Sequence, residues 1–263
     1  QGKHTLLYTQ DINMRLRAAS SGIISREFKA TSFSMPNQFA SIIHQHLPAK
    51  DLKAITQSRI MELLNHKPTY VNQFIKLMSQ NNPENYRIFR YTGGEQFHEV
   101  QMKPILNCFA PKNAEQAMTL DLLMDDSIEL VSLIGKAGTG KTFLVMLAGL
   151  IKVLHERTHR RIMVTRPTVS LGPDIGFLPG DVNDKIENWM YPIFDNIGVI
   201  AHEMKKAKLP MSISIEDLRK ANQLSLQAIT YMRGRSLPHQ FLFVDEAQNL
   251  TPLELKTLIT RAG

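Results

Sequence analysis

Gly135-Lys136-Ala137-Gly138-Thr139-Gly140-Lys141-Thr142 is the stretch that decides the fold. The octapeptide satisfies G-x-x-x-x-G-K-[ST], the phosphate-binding loop of nucleoside triphosphatases. Glycines let the backbone turn its N–H groups inward and crowd them around phosphate oxygens. A helix beginning at the end of the loop adds a positive partial charge of about one half at its N-terminus. Lys141 supplies a point charge to the β- and γ-phosphates, and the Thr142 hydroxyl can sit on Mg²⁺. The flanks supply the context that the motif needs. Ser127-Ile-Glu-Leu-Val-Ser-Leu-Ile134 reads as a strand, and Phe143 to Leu154 reads as a mostly buried helix.

Toward the C-terminus, Phe241-Leu-Phe-Val-Asp245-Glu246-Ala247-Gln248 is an apolar strand that ends in two acids. A carboxylate in Asp245's place can hold Mg²⁺ through its waters. Glu246 would orient and polarise an attacking water, and Gln248 would sense the γ-phosphate. An exposed acidic turn is the plain alternative when the segment is read alone. Thr251-Pro252-Leu253-Glu254 then opens a helix with a capping box and Pro at the first helical position.

Between these two segments, Ile162-Met-Val-Thr165-Arg166-Pro167 reads as a strand that delivers Thr165 and Arg166 to its C-terminal edge. Ligands bind at that edge in open α/β sheets. The stretch Leu171 to Gly180 follows. Ile229 to Ser236 carries Arg233 and Arg235 beside another strand. Arginines at such edges can clamp phosphate, from ATP or from a nucleic-acid backbone. Solvated or locally paired arginines are the alternative. From Lys152 to Arg166 there are five basic residues (Lys152, Arg157, Arg160, Arg161, Arg166) against one acid, Glu156. That concentration fits a polyanion, or a solvated helix end.

The 263 residues are 43% hydrophobic and 21% charged, which is globular composition. The apolar run Phe143 to Ile151 is too short to span a bilayer, so no membrane partner is expected. The single cysteine, Cys108, excludes an internal disulfide and fits a cytoplasmic setting. The net charge of +7 suits a partner such as RNA. The chain enters a strand-like run soon after Gln1 and stops at Gly263 just after a helix, which reads as an internal piece of a longer protein. Local patterns predict a strand at Thr5–Tyr8 and a helix over Ile12–Ser20 ended by Gly22. Helical patterns cover Leu52–Leu64 and Val71–Met78. A hairpin covers 86–102, turning at Thr92-Gly93-Gly94-Glu95. From Asn107 strand and helix alternate, as in a parallel α/β sheet.

Together, G-K-A-G-T-G-K-T (135–142), V-T-R-P (164–167), G-P-D-I-G-F-L-P-G (172–180), T-Y-M-R-G-R-S (230–236) and V-D-E-A-Q-N-L-T-P (244–252) resemble the PhoH family of ATPases. The resemblance implies a RecA-like P-loop core with a parallel sheet over 107–263, binding ATP and Mg²⁺. It also implies single-stranded RNA as partner and a homo-oligomer, a hexameric ring. Pro111-Lys112-Asn113-Ala114-Glu115-Gln116 resembles the helicase segment that recognises adenine, which implies nucleotide contacts for Asn113 and Gln116. Gln116 lies nineteen positions before Gly135.

Leu6 to Arg15 resembles the last acidic motif of a PIN nuclease, with Asp11 as a metal-binding carboxylate. Fusions of PIN to PhoH carry an N-Q-F-like linker segment, found here at Asn72-Gln73-Phe74 and at Asn37-Gln38-Phe39. The implied organisation is a PIN remnant over 1–30, a linker with helices and a small hairpin over 31–106, and the ATPase domain over 107–263. An isolated PIN carboxylate cannot cut RNA, so nuclease activity is not expected of this segment. The expected function is ATP hydrolysis coupled to RNA unwinding or remodelling. The alternative is an ATP-dependent assembly switch without translocation.

Overall fold

The computed structural model describes residues 6–9, 12–26, 42–64, 70–167, 182–209, 213–232 and 236–262. The chain divides into two compact units, residues 1–41 and 42–263. In the first, strand β1 (Leu6–Tyr8) pairs in parallel with β2 (Ile24–Arg26), and helix α1 (Ile12–Ser20) connects them. The helix stops where expected. Gly22 takes φ +72°, and the amides of Ile23 and Gly22 donate back to the carbonyls of Ala18 and Ala19. That pair of hydrogen bonds satisfies carbonyls that the helix end leaves orphaned.

The second unit opens with β3 (Ile42–Leu47), two short helices, α2 (Ala49–Lys53) and α3 (Gln57–Leu63), and then β4 (Phe74–Ser79), β5 (Tyr86–Gly93) and β6 (Gln96–Val100). The sheet order is β3-β4-β5-β6, with β3 parallel to β4 and the remaining pairs antiparallel. The hairpin expected over 86–102 is β5–β6. Two expectations are corrected. The Val71–Met78 pattern is not helical; most of it forms β4. An apolar run this short fits either period, and here both faces of the strand are covered. Ile75 and Leu77 pack with Leu52 and Ile60 of α2 and α3, while Phe74 packs with Ile88, Val100 and the next helix. The single helix read over Leu52–Leu64 is two, because Thr56 caps α3 by accepting from the Arg59 amide at 3.3 Å.

That next helix, α4 (Ala114–Met124), is shared between two cores. Ala114, Ala117 and Met118 face the four-stranded sheet, whereas Leu120 and Leu123 join the main core. Arg90 of β5 pins the junction. It is 5% exposed and donates to Asp121 at 2.6 Å, Asp125 at 2.6 Å and Asn72 at 2.8 Å.

The main core is built on α5 (Lys141–Leu150), extended by a π-helical turn over Ile151–His155, on β7 (Arg161–Thr165) and on α6 (Val182–Lys206). Helix α7 (Ile215–Lys220), β8 (Leu224–Leu226), β9 (Gln240–Val244) and α8 (Pro252–Ile259) complete it. The strands form an all-parallel sheet in the order β8-β7-β9. β7 reads as a continuous apolar run because it is buried on both faces. Ile162 and Val164 meet the α5 core, and Met163 meets Ile229, Met232 and Leu258. The fold is the expected mixed α/β arrangement with parallel pairing around a phosphate loop.

The strand expected over Ser127–Ile134 does not join this sheet. Among the described residues the segment makes no ladder. Its alternation is nonetheless realised. Val131 and Leu133 pack on the main core, while Leu130 and Ile134 are 66% and 97% exposed. Period-2 burial alone produces that pattern, and burial does not require a hydrogen-bonded neighbour. A further correction concerns Lys152. Read as part of a basic stretch, it is 2% exposed and ion-paired with Asp126.

Candidate nucleotide site

The phosphate loop lies between Leu133, on the core, and the first turn of α5. Gly138 and Gly140 take φ +77° and +88°, left-handed values that a side chain rarely adopts. A Cβ on Gly140 would also lie 3.4 Å from Gln116 Nε2. The Lys141 ammonium turns back into the loop and donates to the carbonyls of Gly135 and Lys136, both at 2.8 Å. Thr139 closes the loop further by donating to the Lys136 carbonyl at 2.9 Å. Lys136, Ala137, Gly138 and Thr139 are exposed. The loop is therefore solvent-facing, with the Lys141 ammonium held on its own carbonyls beside the start of α5, a setting that suits an anion.

Helix α4 supplies the side wall. Asn113 is its N-cap and accepts from the Gln116 amide at 2.9 Å. The Gln116 side chain accepts from the Lys112 amide at 2.9 Å and donates to the Thr139 carbonyl at 3.2 Å. Both residues thus stand next to the phosphate loop. Gln116 is tied to the loop itself, a contact that sequence spacing did not reveal.

The end of β9 faces the loop. Thr142 Oγ1 lies 3.4 Å from Asp245 Oδ1, joining residues 103 positions apart. The Asp245 amide donates to the Thr165 carbonyl at 3.0 Å, which continues the β7–β9 ladder by one step. The Asp245 side chain is 13% exposed. Burial pushes its carboxyl above the ordinary carboxylate value, and the Arg166 charge opposes that rise. Glu246 sits at φ +53° and is more open, and the Gln248 amide donates to its carboxylate. Thr165 Oγ1 is buried and has no hydrogen-bond partner among the described residues.

Arg166 is the residue whose surroundings the sequence left open. Its Nε lies 3.9 Å from Asp245 Oδ2 and its Nη2 lies 3.7 Å from Glu246 Oε1. The structure thus gathers Gly135–Thr142, Asn113, Gln116, Asp245, Glu246, Gln248 and Arg166 at one end of the parallel sheet. Asp11, Arg233, Arg235, the Leu171–Gly180 stretch and Asn37-Gln38-Phe39 lie outside the described residues. Among the described residues, no cluster of three or more His, Cys, Asp or Glu side chains could hold a metal by itself. A divalent ion here would be held by Thr142 and, through water, Asp245, together with phosphate oxygens. That oxygen-rich donor set suits Mg²⁺. Among the described residues, no helix is long and apolar enough to cross a membrane.

Residues 109–263 match the family described as PhoH-like protein. Over 268 aligned residues the chain is 33% identical to "Protein PhoH2" of Bacillus subtilis (strain 168), covering all of this chain and 59% of that protein. It is 31% identical over 264 residues to "Protein PhoH2" of Thermobispora bispora, covering 58% of it. A "PhoH-like protein" of Synechocystis sp. is 33% identical over 178 residues, 65% of this chain and 51% of that protein. The chain thus spans 57–59% of the length of three relatives that match it throughout.

Proposed function

We propose, from the premise that this chain belongs to the PhoH-like protein family, that it binds ATP with Mg²⁺ in the 135–142 loop and hydrolyses it to drive remodelling of single-stranded RNA. The observation that carries the nucleotide part is the approach of Thr142 to Asp245 at 3.4 Å, which assembles the two halves of a phosphate site from distant segments. In this reading Lys141 leaves the loop carbonyls and takes the β/γ-phosphate oxygens. The loop amides and the α5 N-terminus hold the remaining charge. A Mg²⁺ ion held there would neutralise developing phosphate charge. Glu246 accepts a proton from the attacking water, and Gln248 fixes the orientation of its carboxylate. Gln116 reads the adenine edge while its link to Thr139 reports on the loop.

RNA coupling is supported by the net charge of +7 and by the family resemblance. In a longer protein, the segment around Asp11 would complete a PIN nuclease that acts on the same RNA. The second reading is a nucleotide-controlled assembly switch, favoured by the Arg90 junction that ties the four-stranded sheet to α4 beside the loop. ATP turnover measured with and without single-stranded RNA separates the two. Stimulation by RNA of unrelated sequences supports the first, and turnover indifferent to RNA supports the second.

A further inference from the structure

The parallel sheet has a second polar edge. β7 begins at Arg161 and β9 at Gln240, and the two residues are paired, so the strand starts are level. The phosphate loop and the acid pair stand at the other ends of these strands. At ~3.3 Å per residue the two edges are about 13 Å apart. The start of β7 closes the run Arg157-Thr158-His159-Arg160-Arg161. Arg161 donates to the Gln240 side chain at 2.9 Å and to the Asn222 side chain at 3.2 Å. Both acceptors are neutral amides, so the guanidinium is held in place with its charge intact. Arg157 and Arg160 are exposed, and among the described residues neither forms an ion pair. The Arg160 amide donates to the His239 carbonyl at 2.9 Å, which sets its backbone beside the start of β9. Lys220 is exposed two positions before Asn222. Neighbouring acids do not cancel this charge. Asp126 is taken by the buried Lys152, and Glu156 is the one acid between Lys152 and Arg166. Elsewhere in this unit Arg59, Arg87 and Arg90 each meet a carboxylate.

We infer that this edge, through Arg157, Arg160 and Arg161, holds the phosphodiester backbone of single-stranded nucleic acid at the end of the sheet away from the nucleotide site. The inference rests on the RNA reading above and gives it a surface. Guanidinium forks match phosphate oxygens, and a row of uncancelled charges gains by releasing the counterions of a polyanion. Residues 155–161, 219–223 and 238–240 include no large hydrophobic side chain. A protein partner needs an apolar centre to its contact, and a surface that stacks bases needs an aromatic platform. This edge offers neither, so its contact is to the backbone and is indifferent to base sequence.

The test titrates the protein into fluorescently labelled oligouridine and oligoadenosine RNA over a series of salt concentrations, read by anisotropy. The double variant Arg157→Asn with Arg160→Gln removes two charges from exposed positions, and Asn suits the left-handed φ of +57° at 157. It is expected to bind both RNAs at least ~10-fold more weakly at low salt. The slope of log K against log salt should fall by about 1.4, roughly 0.7 for each lost phosphate contact. Arg157→Lys with Arg160→Lys keeps the charges and should keep the parent's salt slope, which separates lost charge from a disturbed fold. ATP turnover without RNA should match the parent in both variants, because neither position lies at the nucleotide end of the sheet. Parent-like affinity and slope in the charge-removing variant overturn the inference. So does a loss confined to one of the two RNAs, which would mean base readout. Polyglutamate that displaces the RNA as well as unlabelled RNA does would assign the edge to acidic protein segments and also overturns it. A parent protein that binds neither RNA removes the RNA reading itself, whereas RNA binding shared equally by parent and variants removes only this placement.

Discussion

At the scale of single residues, the candidates that depend on contiguous sequence are legible and the contacts that depend on register are not. Lys141, Thr142, Asp245 and Glu246 could be named from two short motifs. Glu246 then carries a sharp expectation. Its left-handed backbone marks a position held by its surroundings, and its carboxylate is more open than that of Asp245 beside it. Glu246→Gln is expected to leave ATP affinity intact and to slow turnover by about 10²–10⁴-fold in single-turnover assays. Loss of ATP binding instead would assign Glu246 a structural role. The Arg90 network was not legible, because Asp121 and Asp125 reach β5 only through packing of α4 on the sheet. Asp125 titrates at about 2 instead of 3.8, held down first by the Ser127 hydroxyl and then, against burial, by Arg90. Its folded pKa is depressed, so its stabilisation is complete above 3.8 and is lost as pH falls toward about 2. Asp125→Asn should lower stability at neutral pH and flatten its fall across that acid window. Urea unfolding midpoints at a series of pH values measure both effects, and a variant with the parent's acid dependence would contradict them.

At the scale of elements, helices with capping signals were readable. α1 ends at Gly22, and α8 begins with the Thr251–Glu254 capping box. Short apolar segments were not. Phe74–Ser79 carries no decisive period, and its strand identity comes from partners on both faces. Ser127–Ile134 has the period of a strand but no ladder among the described residues. The packing of α5 on the parallel sheet depends on one glycine. A Cβ on Gly149 would lie 3.0 Å from Phe241 and 3.2 Å from Ile162. Both neighbours are side chains of β9 and β7 packed in the core, so either they give by a few tenths of an ångström or the helix backs away from the sheet. Gly149→Val is expected to cost about 1–3 kcal/mol in chemical denaturation. Because α5 carries the phosphate loop, ATP affinity should fall with it. An unchanged unfolding midpoint would mean that the contact relaxes at no cost.

At the scale of the whole molecule, the parallel α/β core was visible in the order of its motifs. The larger surprise lies before it. Residues 42–100, read as a linker region with helices and a hairpin, form a four-stranded sheet inside the same compact unit as the phosphate loop. Its β3–β4 pairing joins strands far apart in sequence, which local patterns cannot announce. Net charge pointed to a polyanion, yet Lys152 is spent on Asp126, and Arg166 lies against the acid pair. Charge summed over a sequence overstates what a surface can offer. The central claim is that residues 135–142 form a working nucleotide site. Calorimetric titration of ATP and Mg²⁺ into the protein and into Lys141→Ala tests it most directly. A charge-assisted phosphate contact is worth about 1.5–3 kcal/mol, so the account predicts a loss of affinity of roughly 10- to 100-fold in the variant. Equal ATP affinity in the two proteins would contradict it.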